Sequence, residues 1–310
     1  MLGGGIGASR LAVPLAKALG PGRLTMVVNT ADDLWHHGLR ICPDLDTNMY
    51  ALGGLSDRQR GWGVQGDTFR AMGQLGRLGE DVWFNLGDLD LATHLKRTGL
   101  LRGGATLSEV TADLAANLGF GTRLLPMTDH EVATVVHTAA GEIGFQEWFV
   151  RRRAQDPVTG VGYRGIEAAQ PAPGVIEAIR AADLLVIGPS NPVASIAPIL
   201  ALSGVREAVA SRPSIAVTPV VHGVPITGEG EERRARSRAA MLGALAMEHR
   251  SRAVASFYMG VASAFVVDVH DAEEEGAIAD MGLDVVVAPT LITDEATGAN
   301  LASVVLSRAM

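Results

Sequence analysis

The sequence predicts an α/β protein of Rossmann-like design: a mostly parallel sheet flanked by helices, with an inserted α+β segment in the middle third. Three observations predict it. Short, continuous apolar runs recur along the chain, as strands buried on both faces require. Between them lie stretches whose apolar residues recur at the period of an amphipathic helix. A glycine cluster, Gly3-Gly4-Gly5-Ile6-Gly7, runs directly into the first such stretch, an arrangement that lets backbone N–H groups and a helix N-terminus meet an anion. Alternation of this kind reads as helices covering a parallel sheet, whose ligands sit beyond the carboxyl ends of the strands.

The first helix is expected over 10–19, where Leu11, Leu15 and Leu19 lie four apart on one face. Only Met1 and Leu2 precede the glycines, too few for the central strand that normally feeds such a turn. Either the true start lies upstream or the turn is tethered differently. Strands are expected at 24–30, 82–86, 132–138, 184–188, 215–220, 264–269 and 285–289, and further helices at 67–78, 107–118, 175–182, 231–247 and 296–309. Segments 145–153 and 161–166 read as strands joined by a polar loop, which places an antiparallel insertion at about 103–172 within one domain spanning 1–310.

A chain of 310 residues has ample material for one large α/β domain. Its formal charge of −8 argues against a general nucleic-acid binder, whose footprint is a basic stripe. The single cysteine, Cys42, excludes an internal disulfide and reads as a small buried filler. No apolar run approaches the roughly 18 residues that span a bilayer, and no signal-peptide pattern opens the chain. A soluble cytoplasmic protein is expected.

Four carboxylates, Asp32, Asp33, Asp44 and Asp46, fall within the 22 residues 29–50, just after the apolar run 24–28. Asp, Asn and Gly disfavour helix and strand interiors, so the cluster reads as oxygen ligands at a strand's carboxyl end. Mg²⁺ is bound this way, through one or two carboxylates plus substrate phosphates. The N–H groups of Gly4, Gly5 and Gly7 supply the phosphate partner, with Ser9, Asn29 and Thr47 as polar neighbours. A second loop, Gly188-Pro189-Ser190-Asn191-Pro192, follows another apolar run, and its prolines fix a turn that can aim Ser190 and Asn191 at a ligand. Asp88 and His94 follow the run 82–86, which makes Asp88 a third catalytic carboxylate beside Asp32 and Asp46. His94 is a group that orients the acceptor or a phosphate. Trp35, Trp62 and Trp83 offer flat faces for a ring. His36 and His37 have no third imidazole nearby and read as structural. The charge run 229–238, EGEERRARSR, reads as a solvated helix face, with a phosphate role for Arg233 or Arg236 as the lesser reading.

Taken together, GGGIGASRL, VVNTADDLWHHGLRICPDLDT, GWGVQGDTF, LGDLDLATH, LLPMTD, FQEWFV and GPSNPVASIAPIL closely resemble the 2-phospho-L-lactate transferase family. The resemblance implies transfer of a phospholactyl or phosphoenolpyruvyl group from a guanosine diphosphate conjugate to the ribityl hydroxyl of the deazaflavin Fo. GMP is released, Mg²⁺ is required, and the product belongs to coenzyme F(420) biosynthesis. It also implies a homodimer and places Asp46 against Fo. Attack of an alcohol on a diphosphate needs a metal, N–H donors and a placed acceptor. Asp32 and Asp46 are therefore the first choices for the metal, with Asp33 and Asp44 second, and Ser190 and Asn191 fall to the guanosine diphosphate part. Trp35 or Trp62 would touch Fo.

The chain departs from the family at two places. The usual residue at position 89 is Arg, associated with the deazaflavin pocket, and here it is Leu89; segment 229–238 replaces a Gly-Pro-Ala-Gly-Lys type of sequence. Three other readings compete. A nucleotide-sugar-binding regulator related to the family shares the opening glycines, but typically has small residues where this chain reads Leu34-Trp35-His36-His37-Gly38. A nicotinamide dehydrogenase needs a lone acidic residue about twenty positions after the glycines, and here the acids are clustered. A transferase with a changed acceptor or donor is the reading that Leu89 favours, since the family's donors differ by contacts worth roughly 1–3 kcal/mol. From sequence alone, Asp46→Asn is expected to abolish turnover in an intact fold. Leu89→Arg is expected to tighten Fo binding in a titration of the deazaflavin's own fluorescence; an unchanged affinity would mean that position 89 does not face the pocket.

Overall fold

A computed structural model of the chain describes residues 1–57 and 59–309. The chain opens with β1 (Leu2–Gly3), α1 (Gly5–Leu19) and β2 (Thr25–Val28), then a hairpin of β3 (Leu34–His36) and β4 (Leu39–Ile41). Helices α2 (Pro43–Leu52), α3 (Arg70–Arg77), α4 (Asp88–Arg102) and α5 (Leu107–Leu118) lead to β5 (Arg123–Pro126). Next come β6 (Ala133–Thr138), β7 (Gly141–Gly144) and β8 (Gly160–Arg164), an antiparallel sheet in the order β7-β6-β8. The rest is α6 (Val175–Ala181), β9 (Leu185–Ile187), α7 (Ala197–Ala201), α8 (Val205–Ala210), β10 (Ser214–Val217), α9 (Glu229–Ala244), α10 (Ser251–Phe257), β11 (Ala264–Val267), α11 (Glu275–Ala279), β12 (Asp284–Val287) and α12 (Glu295–Leu306).

Seven strands form one parallel sheet in the order β12-β11-β10-β9-β1-β2-β5. Successive residues of a strand face opposite sides, and both sides are buried here. Leu2, Val27 and Leu125 pack under α6, α8 and α10, while Met26, Val28 and Leu124 pack against Leu11 and Leu15 of α1. Burying one such side chain contributes about 1.5–3 kcal/mol. No helix among the described residues is long and apolar enough to cross a membrane.

The sheet order reverses between β1 and β9: the chain winds outward to β2 and β5, then crosses back to lay β9 on the other side of β1. Leu2 pairs with Val27 on one side and Ile187 on the other, so the residues before the glycines do hold the central strand position.

Other expectations are corrected as well. Segment 82–86 is irregular rather than a strand; its apolar character comes from Leu86, packed with Ile41 and Met72. Segment 145–153 is no strand, because a π-helical turn, Glu147–Arg151, puts Trp148 beside Phe145 in the core. The region 103–172 narrows: α5 and β5 belong to the main body, and the antiparallel sheet spans 133–164. Helices α2, α4, α8, α10 and α11 and the hairpin β3–β4 were not foreseen. Asp67, expected inside α3, precedes it and accepts hydrogen bonds from the N–H groups of Leu89 (2.7 Å) and Asp90 (3.1 Å). Asp88 accepts in return from Thr68 Oγ1 and the N–H groups of Arg70 and Ala71. Each carboxylate thus satisfies open N–H groups at the start of the other's helix. Gly87 lies between them, and a Cβ there would fall 1.9 Å from Asp67 Oδ2.

Candidate active site

A cavity of about 470 Å³ opens at the carboxyl ends of the strands where the sheet order reverses, the place where open α/β sheets bind ligands. Its floor is the glycine turn from β1 into α1. Gly4 is extended, Gly5 has φ +62°, and no side chain caps the helix. Facing it is the turn after β9. Ser190 Oγ accepts from the Gly4 N–H at 3.0 Å and donates to the Gly4 carbonyl at 2.8 Å. Gly7 must be glycine, since a Cβ would lie 2.0 Å from the Pro189 carbonyl oxygen. Asn191 Oδ1 accepts from the N–H groups of Val193 and Ala194, so it caps the π-helical turn Pro192–Ile196.

The acidic wall divides into two pairs with different chemistry. Asp44 and Asp46 stand in the first turn of α2, where the dipole favours negative charge. Asp46 is held by Arg97, which is 1 % exposed and donates to both carboxylate oxygens, one contact at 3.1 Å. Arg97 also reaches His94 Nδ1 (3.1 Å) and the Arg40 carbonyl (3.3 Å). His94 Nε2 lies 3.2 Å from Asp90, which accepts from Tyr50 Oη at 2.6 Å. Burial would raise the Asp90 pKa, but His94, Tyr50 and Arg97 together hold it below the usual carboxylate range. Asp46, Asp90 and His94 bring ligand atoms within 4.8 Å of one another. Asp46 is already paired with Arg97, and a ring nitrogen suits a hard cation poorly.

Asp32 and Asp44 carry no ion pair among the described residues. Asp44 accepts from Asn29 Nδ2 at 3.0 Å and packs against the backbone of Gly4 and Gly5. Burial nonetheless pushes its carboxyl up to about 6. Burial and then the charge of Asp44 push Asp32 well above the usual range, and Asp32 Oδ1 has no hydrogen-bond partner. Two enclosed carboxylates short of positive charge, facing a cavity, are the donor set that could hold a divalent cation.

Of the residues singled out in the sequence, Gly4, Gly5, Gly7, Asp32, Asp44, Asp46, Thr47, Trp62, His94, Ser190 and Asn191 line this cavity. Five do not. Ser9 donates to the Ile6 carbonyl inside α1. Asn29 lies behind Asp44, holding it. Asp33 pairs with Arg40 at 3.3 Å, and burial, against that guanidinium, raises its pKa to about 7. Trp35 is 49 % exposed on the hairpin, with Nε1 donating to Glu131. Asp88 caps the start of α3 and is not part of the cavity wall. Leu89 is 53 % exposed at the start of α4 and is not part of the wall, so an Arg there must fold back over the rim to act on the acceptor. The His36 and His37 rings meet at 4.0 Å, tilted by 52°.

Sequence reading missed Tyr50, Asp90 and Arg97, and it misjudged α9. Arg233, Arg234, Ser237 and Arg238 line the cavity. Arg234 and Arg10 share Glu231 at 2.7 and 3.0 Å. The i, i+4, i+5 spacing of Arg233, Ser237 and Arg238 on one helical face was the available signal.

The pairing of Asp46 revises the expectation for Asp46→Asn. Removing the carboxylate leaves the Arg97 charge buried without its counterion, a loss of about 3–5 kcal/mol. Denaturant unfolding is expected to show that loss alongside lost turnover, and Asp46→Asn combined with Arg97→Met is expected to recover part of the stability.

A family model described as 2-phospho-L-lactate transferase CofD matches residues 1–288. The chain is similar to the 2-phospho-L-lactate transferase of Methanosarcina acetivorans, 38 % identical over 306 residues that cover 99 % of this chain and 97 % of the relative. It is also similar to the phosphoenolpyruvate transferase of Mycolicibacterium smegmatis, 41 % identical over 318 residues, with 96 % and 95 % covered. Among solved structures, protein BH3568 of Bacillus halodurans superposes with a TM-score of 0.63 at 18 % identity, covering 98 % of each chain, a likeness of fold alone. A glycine turn and an acidic wall meeting where the sheet order reverses, in a chain matched along nearly its whole length, place it: the protein is a transferase and belongs to the 2-phospho-L-lactate transferase family.

Proposed function

We propose that the protein transfers a phospholactyl or phosphoenolpyruvyl group from a guanosine diphosphate conjugate to the ribityl hydroxyl of the deazaflavin Fo, releasing GMP, in coenzyme F(420) biosynthesis. Beside the family match, the observation that carries this reading is the position of Asp44. Its carboxylate packs against the backbone of Gly4 and Gly5, at the spot where a phosphate would dock. An anion approaching that turn meets a negative charge first, and a cation shared between the two resolves the conflict. Asp32 and Asp44 would hold Mg²⁺, which neutralises charge developing on the phosphoryl oxygens.

The chain's own groups divide the remaining work. The glycine turn and the Ser190–Asn191 turn take the donor. On the other wall, Trp62 and the α4 side chains Asp90 and His94 take the acceptor. The acceptor oxygen forms a bond to the phosphorus that carries the three-carbon acid, the bond from that phosphorus to GMP oxygen breaks, and the hydroxyl proton passes to solvent. Asp46, clamped by Arg97, keeps one orientation through this exchange. Such fixed placement is the main contribution a protein makes to phosphoryl transfer.

Two measurements test the reading. Titration with Fo, followed by its fluorescence, is expected to show saturable binding that GDP and Mg²⁺ strengthen; absence of Fo binding would remove the proposed acceptor. The raised pKa values set a pH dependence of defined sign. A carboxyl whose folded pKa lies above its unfolded value favours folding while protonated, so this stabilisation is present at low pH and lost as pH rises from about 4 through about 6 for Asp44. Mg²⁺ binds the ionised pair, so the rise in Tm caused by Mg²⁺ is expected to be larger at pH 7.5 than at pH 5, and to vanish in Asp44→Asn. A Mg²⁺ effect independent of pH would remove Asp32 and Asp44 as ligands.

A further inference from the structure

The cavity has two electrical poles. Near the glycine turn lie Asp32, Asp44, Asp46 and Asp90, with Arg97 and His94 behind them. Elsewhere on the wall, α9 and α1 present Arg10, Arg233, Arg234 and Arg238 against the single carboxylate of Glu231. Glu231 is taken up by Arg10 and Arg234. Arg233 and Arg238 make no ion pair and no hydrogen bond among the described residues. Arg233 stacks over the Phe149 ring at 5.2 Å, and its Nε, like the Arg238 Nε, is enclosed without an acceptor. Ser237, 2 % exposed between them, also has a hydroxyl with no partner. Burial lowers the pKa of Arg238 to about 10, only partly offset by Glu231, so it remains charged at neutral pH. His249, beside Arg238, is pushed down to about 4 by burial and by that guanidinium. Nothing in the fold needs this charge, and desolvating a cation without a counterion is costly.

We infer that Arg233, Ser237 and Arg238 form an anion-recognition site on the donor side of the cavity, filled by a phosphate or carboxylate group of the donor. Two guanidinium forks and a hydroxyl match such a planar or tetrahedral oxyanion. The location follows from packing: α9 lies against the π-helical turn Pro192–Ile196, and Asn191 Nδ2 reaches Met241 Sδ of α9 at 3.6 Å. The assignment to the donor rests on the proposed transfer reaction; the anion site itself does not. It also gives a use to the segment in which this chain departs from the family.

Binding of inorganic pyrophosphate, GDP and the guanosine diphosphate conjugate to the full chain tests this by calorimetry in Arg233→Gln, Ser237→Ala and Arg238→Gln, with exposed Arg236→Gln as control. The arginine variants are expected to bind pyrophosphate and GDP roughly tenfold or more weakly, in line with the loss of a charge-assisted bidentate contact, and Ser237→Ala a few-fold more weakly. Their Tm is expected to stay level or rise, because a partly desolvated charge without a counterion is removed. If GDP and pyrophosphate bind unchanged while the conjugate alone weakens, the anion is the carboxylate of its three-carbon acid. Unchanged affinity for all three ligands, or weakened binding accompanied by a fall in Tm, overturns the site. Fo fluorescence on the wild type separates the two claims: arginine-dependent anion binding without Fo binding keeps this site and removes the acceptor, and the converse keeps the transfer reaction.

Discussion

Everything at the functional end of the molecule depends on how closely two turns approach each other. The chain leaves β1 and β9 side by side, and the Ser190 hydroxyl bonds both the N–H and the carbonyl of Gly4. With Pro189 sitting where a Gly7 side chain would be, this contact fixes the start of α1 against the π-helical turn. The glycines permit a backbone approach that no other residue allows. The helix end, the acidic wall and α9 are all positioned by it.

Around that contact the protein separates charges by function. Asp46 is neutralised by Arg97 and becomes a rigid strut. Asp32 and Asp44, a short distance along the same wall, are left without a cation. The same residue type thus serves structure in one place and carries uncompensated charge in the other. Only the neighbours differ. An analogous division separates Arg234, satisfied by Glu231, from Arg238, which has no such partner.

Much of the fold was legible because its strands are buried on both faces, and burial leaves continuous apolar runs that sequence displays directly. The same signal misled at 82–86, where Leu86 is buried by an irregular segment. Helix α4 was hidden for the opposite reason. Asp88, Asp90, His94 and Arg97 serve as cap, cavity wall and buried ion pair, so the helix shows no apolar stripe. The core of the site, Gly4 to Gly7 with Asp32, Asp44 and Asp46, was readable because such residues have few structural uses in that density. Asp88 and Trp35 were misplaced because a capping Asp and a surface Trp look identical in sequence to functional ones. Arg238 escaped notice because sequence shows a charge but not what faces it.

The contact that closes the site joins residues 186 positions apart. A central strand of two residues, Leu2–Gly3, gains its second neighbour only when β9 has been made, after more than half of the chain. Pairing over such a separation is slow, because loop-closure entropy is lost before the contact returns anything. The two walls therefore cannot mature independently during synthesis, and the nascent β1–α1 unit exposes an open strand edge until Ile187 arrives to cover it. The contact that closes the cavity thus waits on residues made well after the turn it closes upon.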